Sequence, residues 1–336
     1  MLRDNVPRIA AALVGALALT ACGEVTTGPT RAPVPPPVPA EQLSDVVLQV
    51  GDQKGNQRSM LAAAGLLDTP YEIEWSTFTS GPPLVEAVSA GAVDVGGVGN
   101  TPPLFGAAAS AKIKAVSASE QNSATDALLV PAGSPLRSVQ DLRGKTVALA
   151  KGSSAHGNVL NMLSRAGLEP DDVDLSFMQP AEAFSAFTQG QVDAWAVWDP
   201  YTAQAELEAD VRVLADGRGT ANGYEFTVAA VESLGDPRKN AAIADFVARI
   251  ARAEQHNTAN PEERAREWAA DTGLPIEVTR RAAERRHRLP VPMDGELVRS
   301  QQQLARAFLD ARVLPTRFRF EDYVDRRYEQ QLSAIG

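Results

Sequence analysis

Sulfur is scarce in this chain: one cysteine, Cys22, in 336 residues. No disulfide can form within one molecule, and no second thiol is present to ligate a metal or act as a nucleophile. Positive charge is in deficit too. Thirty-two Lys and Arg against 42 Asp and Glu give a formal net charge of −10, which argues against nucleic acid as a partner. It leaves room for an anionic small ligand, because the local field in a cleft can oppose the global charge. The apolar stretch Ile9 to Leu19 falls short of the ~20 residues a membrane-spanning helix needs. Histidine occurs only three times. No Ser-His-Asp order, metal-ligand spacing or Gly-rich nucleotide loop stands out, so no enzyme activity, no metal and no cofactor is expected.

What is present begins with an export signal. Arg3 and Arg8 precede the short apolar stretch, and Leu19-Thr20-Ala21-Cys22 is a small-residue cleavage site ending in cysteine. This is the lipobox pattern. Residues 1–21 are expected to be a signal peptide and Cys22 a lipid anchor on the outer side of a membrane, in the periplasm or on the cell's outer face. The run from Arg31 to Pro39, rich in proline, cannot pack a core and favours extended polyproline II. Residues 22–42 are expected to form the anchor and its tether.

The body of the chain repeats itself. Asp45–Val50, Tyr71–Phe78 and Val93–Val98 read as strands, with helices over Ser59–Leu67 and from Pro82 to Gly91. Lys145–Ala150, Val173–Met178 and Val192–Val197 read as a second set of strands, with helices over Ser154–Ala166 and from Pro180 to Gly190. Lys54-Gly55 matches Lys151-Gly152, and Gly91-Ala-Val-Asp94 matches Gly190-Gln-Val-Asp193. Nine residues beyond each of those glycines stand Asn100 and Asp199, with Pro102 and Pro200 close behind. Such alternation predicts an α/β fold of two similar units with mainly parallel sheets. After a strand at Tyr224–Val231 the chain reads as helical, and Ile243, Phe246, Val247 and Ile250 form an apolar stripe. These helices are expected to pack on the first unit. One lobe then comprises 43–130 plus 219–336 and the other 131–218, with crossings near Val130–Ser134 and Asp216–Gly223, both rich in Gly, Pro and small polar residues.

Ligands of parallel α/β sheets bind at the carboxyl ends of strands, beside helix N-termini with free amides. The residues placed there are Gln53, Gly81, Asn100 and Thr101 in the first unit and Ser153, Ser154, His156, Trp198 and Asp199 in the second. Each also has a plain structural role open to it. Either serine can cap a helix, Asn100 and Asp199 suit turns beside proline, and His156 or a tryptophan can pack in a core. Trp195 and Trp198 point to opposite faces of one strand, so Trp198, nearer the carboxyl end, is the ligand candidate. Facing helix starts with two Lys-Gly pairs and a Ser-Ser pair favour an anion held without a metal.

At these segments the chain resembles a known family. Lys151-Gly-Ser-Ser-Ala-His156 and Val192-Asp-Ala-Trp-Ala-Val-Trp-Asp-Pro-Tyr201 are similar to signature stretches of aliphatic sulfonate-binding proteins of ABC importers, grouped with taurine- and nitrate-binding proteins. Gln53-Lys54-Gly55 and Gly99-Asn-Thr-Pro-Pro103 resemble two further stretches. The resemblance implies a type II periplasmic-binding-protein-like fold with two hinge strands. It implies a sulfonate or related oxyanion held by hydroxyls, amides and helix ends, and delivery by a monomer to a membrane permease with its ATPase. Asn100 departs from the family's usual Asp and bears on the ligand's far end. A heteroaromatic or uncharged solute such as a thiamine precursor is the alternative that Trp198 would suit. The sulfinate desulfinases that share the fold depend on a cysteine nucleophile, and here Cys22 belongs to the anchor.

Overall fold

In the computed structural model, which describes residues 33–335, the alternation of short apolar runs and helical stretches becomes two separate sheets. The signal segment, Cys22 and the start of the tether lie outside the described residues. The first unit contains β1 (Val47–Gln53), α1 (Gln57–Ala63), β2 (Glu72–Phe78), α2 (Gly81–Ser89), β3 (Val95–Gly99), α3 (Pro102–Ala108) and β4 (Ile113–Gln121). The second contains β5 (Asp126–Pro131), β6 (Thr146–Leu149), α4 (Ser154–Arg165), β7 (Asp174–Phe177), α5 (Pro180–Thr188), β8 (Ala194–Trp198), α6 (Tyr201–Glu208) and β9 (Val211–Asp216). The chain then returns to the first unit through β10 (Tyr224–Ala230) and α7 (Val231–Gly235). It ends with α8 (Pro237–Ala259), α9 (Pro261–Thr272), α10 (Ile276–Arg285), β11 (Arg288–Val291), α11 (Gly295–Asp310) and α12 (Glu329–Leu332).

The two sheets have one plan. Strand order is β11-β4-β10-β3-β1-β2 in the first lobe and β7-β6-β8-β5-β9 in the second. In each, the three strands of the repeat are parallel. The strand that has just arrived from the other lobe, β10 or β5, inserts antiparallel beside the third of them. The strand that leaves, β4 or β9, lies on its far side. Central strands β3 and β8 are buried along nearly their whole length, as a sheet covered by helices on both faces requires. Edge strands β2 and β7 are part-exposed.

The first crossing differs from the expectation. The sheets change over between Gln121 and Asp126, and 126–131 is already paired with β8 and β9. The turn Asn122-Ser-Ala-Thr125 contains neither Gly nor Pro. It is closed by the Asn122 side chain, which accepts from the Ala124 amide at 3.1 Å. The Gly- and Pro-bearing segment 131–134 is instead a turn inside the second lobe, with Ser134 N–H donating to the Pro131 carbonyl. The second crossing runs over 217–223, between β9 and β10.

Helix α8 starts at Asp236, whose carboxylate accepts from the amides of Arg238 and Lys239, with Pro237 in the first turn. Its stripe of Ile243, Phe246, Val247 and Ile250 is buried against Leu48, Val50 and Val116 of the first sheet. Each such burial contributes about 1.5–3 kcal/mol. The C-terminal helices are not confined to the first lobe. Arg285 at the end of α10 donates to Glu206 of α6 at 2.9 Å, and Phe308 of α11 packs edge-on against His156 of α4 at 5.0 Å.

Candidate functional site

The carboxyl ends of β1 and β3 meet those of β6 and β8 across the gap between the lobes. A cavity of about 40 Å³ lies there, walled by Gln53, Lys54, Gly81 and Gly99 from one lobe and Ser153, Ser154, Trp198 and Asp199 from the other. That space holds a few atoms of a polar head group and little more. The lobes are in contact around it. Thr79 Oγ1 donates to Gln179 Oε1 at 2.9 Å, and a Cβ on Gly99 would come 3.3 Å from the Ser154 Cβ. The missing side chain at Gly99 is what lets β3 approach α4.

Each wall residue is held by the element that carries it. Gln53 ends β1 and donates Nε2 to the Gly97 carbonyl at 3.0 Å. Lys54 follows, half-buried, and its ammonium has no carboxylate partner among the described residues. Gly55 takes φ of +70°, and a Cβ there would fall 1.6 Å from Trp268 Nε1, so only glycine permits this turn. Ser153 caps α4: its Oγ accepts from the His156 amide at 3.4 Å and donates to the Ala150 carbonyl at 2.7 Å. Ser154 donates to Asp126 Oδ1 at 2.8 Å. Trp198 makes an edge contact with Tyr201 at 6.0 Å, while Trp195 is buried between Phe184 and Phe187.

Three of the residues predicted from sequence do not face the cavity. Asn100 is buried and tied elsewhere: Nδ2 donates to Asn222 Oδ1 at 2.7 Å, Oδ1 accepts from Thr101 at 2.9 Å, and its carbonyl accepts from Gln301 at 2.7 Å. It fastens the second crossing and α11 to the end of β3. Thr101 is fully buried against Gly157 of α4. His156 is buried between Phe105 and Phe308 of the first lobe and Phe177 of the second, with Nδ1 accepting from the Gly152 amide at 3.1 Å. Burial, with Lys151 adding to it, lowers its pKa to about 4. Lys151 is exposed over the Phe177 ring and does not mirror Lys54.

The structure adds residues that the sequence reading did not select: Asn56, Pro102, Gln121, Thr125, Glu225 and Arg286. Glu225 and Arg286 belong to a paired network that continues under the cavity floor through Arg288 and Glu254. Arg286 donates to Glu225 Oε1 at 2.7 Å, and Arg288 pairs with Glu225 and with Glu254. Burial opposes the charge on Glu225, but the two arginines outweigh it and hold its pKa below the usual range. Arg285 donates to Asp199 Oδ1 at 3.2 Å and has its Nε 2.8 Å from Oδ2, yet burial dominates and raises Asp199 to about 6. The run Arg285-Arg286-His287-Arg288 was the available signal, but a charged helix end reads from sequence as a solvated surface.

Beside the cavity, sharing Gln53 and Lys54, opens a larger space of about 350 Å³ lined by Trp75, Phe78 and Tyr201 together with the charged Asp52, Arg58 and Asp271. The cleft therefore joins a small polar end to a wider mouth with aromatic and charged residues in its walls.

Two α/β lobes, linked by two crossings and enclosing a polar cleft lined from both sides, define the class of two-lobed solute-binding proteins. A family model described as "NMT1/THI5 like" matches residues 80–264. The chain is 36% identical over 283 residues to a putative aliphatic sulfonates-binding protein of Escherichia coli, covering 82% of this chain and 88% of that one. It is 30% identical over 144 residues to the taurine-binding periplasmic protein of E. coli, covering 43% and 44%. Among solved structures, the alkanesulfonate-binding protein of Xanthomonas axonopodis pv. citri bound to MOPS superposes with a TM-score of 0.73 at 32% identity, covering 83% of this chain and 98% of that one. The chain belongs to the NMT1/THI5-like family and groups within it with the aliphatic sulfonate-binding proteins.

Proposed function

We propose that this protein is the extracytoplasmic solute-binding component of an ABC importer and that it captures an aliphatic sulfonate or related small oxyanion in the cleft. The observation that carries this reading is Lys54: an ammonium with no ion-pair partner among the described residues, walled into a cleft beside Ser153, Ser154 and the start of α4. A head group bearing several acceptor oxygens satisfies that cation, the hydroxyls and the helix-start amides together. The cavity accepts the head group alone, so the organic tail points past Lys54 into the space beside Trp75, Phe78 and Tyr201. Gln53, Gly81, Ser153, Ser154, Trp198 and Asp199 are the contacts in this reading; Asn100, Thr101 and His156 hold the lobes around it.

A heteroaromatic or uncharged solute would leave Lys54 with nothing to neutralise it, and relatives that share about a third of its sequence are named for sulfonates. The relatives are named as binding proteins, and the only cysteine of the chain, Cys22, belongs to the lipobox and is none of the cleft residues. A binding role without turnover follows. Ligand stabilises the closed arrangement by its greater affinity for it, and the closed form is what a permease would receive. Cys22 would fasten this monomer to the membrane through the proline-rich tether.

Calorimetric titration with short alkanesulfonates, taurine, nitrate and sulfate tests the assignment. Saturable binding of at least one organosulfonate, with weaker binding of the inorganic anions, is the expected result. Binding of an uncharged solute in preference to every sulfonate would overturn it.

A further inference from the structure

Behind the cavity wall lies a carboxyl group that the anion contacts above do not use. Asp126 opens β5, is buried, and accepts the Ser154 hydroxyl at 2.8 Å. It forms no ion pair among the described residues. The charged groups facing it are Glu225 from β10, Asp199 from the end of β8 and Arg286 from the turn after α10. Glu225 already holds Arg286 and Arg288, and Asp199 holds Arg285. On the β9 side, Asp216 is bonded to its own Arg218. From α4, Asp126 receives only the hydroxyl. Burial, helped by Glu225 and Asp199 and opposed by Ser154 and Arg286, raises the Asp126 pKa to about 7.

A serine hydroxyl has one proton to give. With Asp126 ionised, that proton is spent on the carboxylate, and Ser154 turns lone pairs toward the cleft. Sulfonate oxygens only accept hydrogen bonds, so the two would repel. With Asp126 protonated the order reverses: Asp126 donates to Ser154, and Ser154 donates into the cleft. We propose that Asp126 is a positioning residue that sets the direction of the Ser154 hydroxyl, so that an oxyanion enters the cleft together with one proton, which comes from water and rests on Asp126. The inference builds on the reading of the cleft as an oxyanion site and adds the rule by which that site recognises its ligand.

The test is calorimetric titration of the full chain with ethanesulfonate between pH 7 and 9, in Tris and in imidazole, two buffers free of sulfonate that differ in ionisation enthalpy. Above pH 8 the expected result is uptake of close to one proton per ligand and an affinity falling by about tenfold per pH unit. In Asp126→Asn the amide donates to Ser154 as the protonated acid does. Affinity should then stay at the wild-type neutral-pH level up to pH 9, with no proton uptake. Ser154→Ala removes the relay while leaving Asp126 in place; it should bind more weakly at pH 7 and lose the pH slope. This second variant carries the test if the Asn variant does not fold by thermal melting. Sulfonate binding with no proton uptake in the wild type, or the same pH slope in Asp126→Asn, overturns the proposal and leaves the binding function intact. Absence of sulfonate binding at every pH overturns the oxyanion reading and the proposal with it.

Discussion

Two cations touch the cavity, and their surroundings assign them different work. Arg286 is neutralised by Glu225 at 2.7 Å and stacks 5.8 Å from the Trp268 ring, so its charge supports the floor. Lys54 makes no ion pair among the described residues, which leaves its ammonium to a ligand. Lys54→Met should weaken sulfonate binding by about 1.5–3 kcal/mol, the worth of a hydrogen bond to a charged group. That is about tenfold to a hundredfold in Kd by calorimetry, with the melting temperature of the free protein nearly unchanged. At this scale the sequence was a partial guide. Lys54 stood out because Lys-Gly follows a strand and recurs at Lys151, yet the two lysines ended in different places. Lys151 went to an exposed ring contact because nothing in a Lys-Gly pair records which way the next helix turns its side chains. Asn100 looked like a cleft residue for its place at a strand end before prolines. What claims it is Asn222, 122 residues further on, and such a partner leaves no local mark.

The helices and strands were the most legible level, for a physical reason that also tells where legibility stops. β1, β2, β3 and β6, β7, β8 lie between helices whose ends are punctuated by Gly and Pro, so periodicity and breakers agree. β4 and β5 are separated by four residues with no breaker, and their turn is closed by a side chain, so the sequence points to the Gly- and Pro-bearing segment that follows β5 instead. The Gly55 turn joins the two levels. Its φ of +70° aims the missing Cβ at Trp268 of α9, which is itself buried under Arg264 at 4.3 Å. Gly55→Ala must strain the backbone and displace that indole. A loss of about 3 kcal/mol is expected from overpacking and left-handed strain together. It would appear as a lower urea midpoint, with ligand affinity falling as well because Lys54 is the next residue.

At the scale of the whole molecule, closure buries a titratable ring. His156 is carried by α4 of the second lobe, and half of its cage, Phe105 and Phe308, belongs to the first. Burial and the nearby Lys151 lower its pKa from 6.5 to about 4 in this arrangement. Parting the lobes would return the ring to water and its pKa toward the ordinary value. A base whose pKa is depressed in the closed form stabilises that form fully above its ordinary pKa. The contribution is lost progressively as pH falls from about 6.5 toward 4, and it amounts to about 3 kcal/mol at most. Acid should therefore open the molecule. Scattering measurements with saturating ligand should show the radius of gyration rising between pH 6 and 4, and His156→Phe, which keeps an aromatic in the cage, should flatten that rise. An unchanged acid transition in the Phe variant would assign it instead to a carboxylate that this arrangement holds below its usual range, such as Glu225. Asp126 acts on the other side, since its proton is lost above about pH 7. The two buried groups bracket a window near neutrality in which the lobes can close and Ser154 can still donate, so binding should peak there and fall for different reasons on either side.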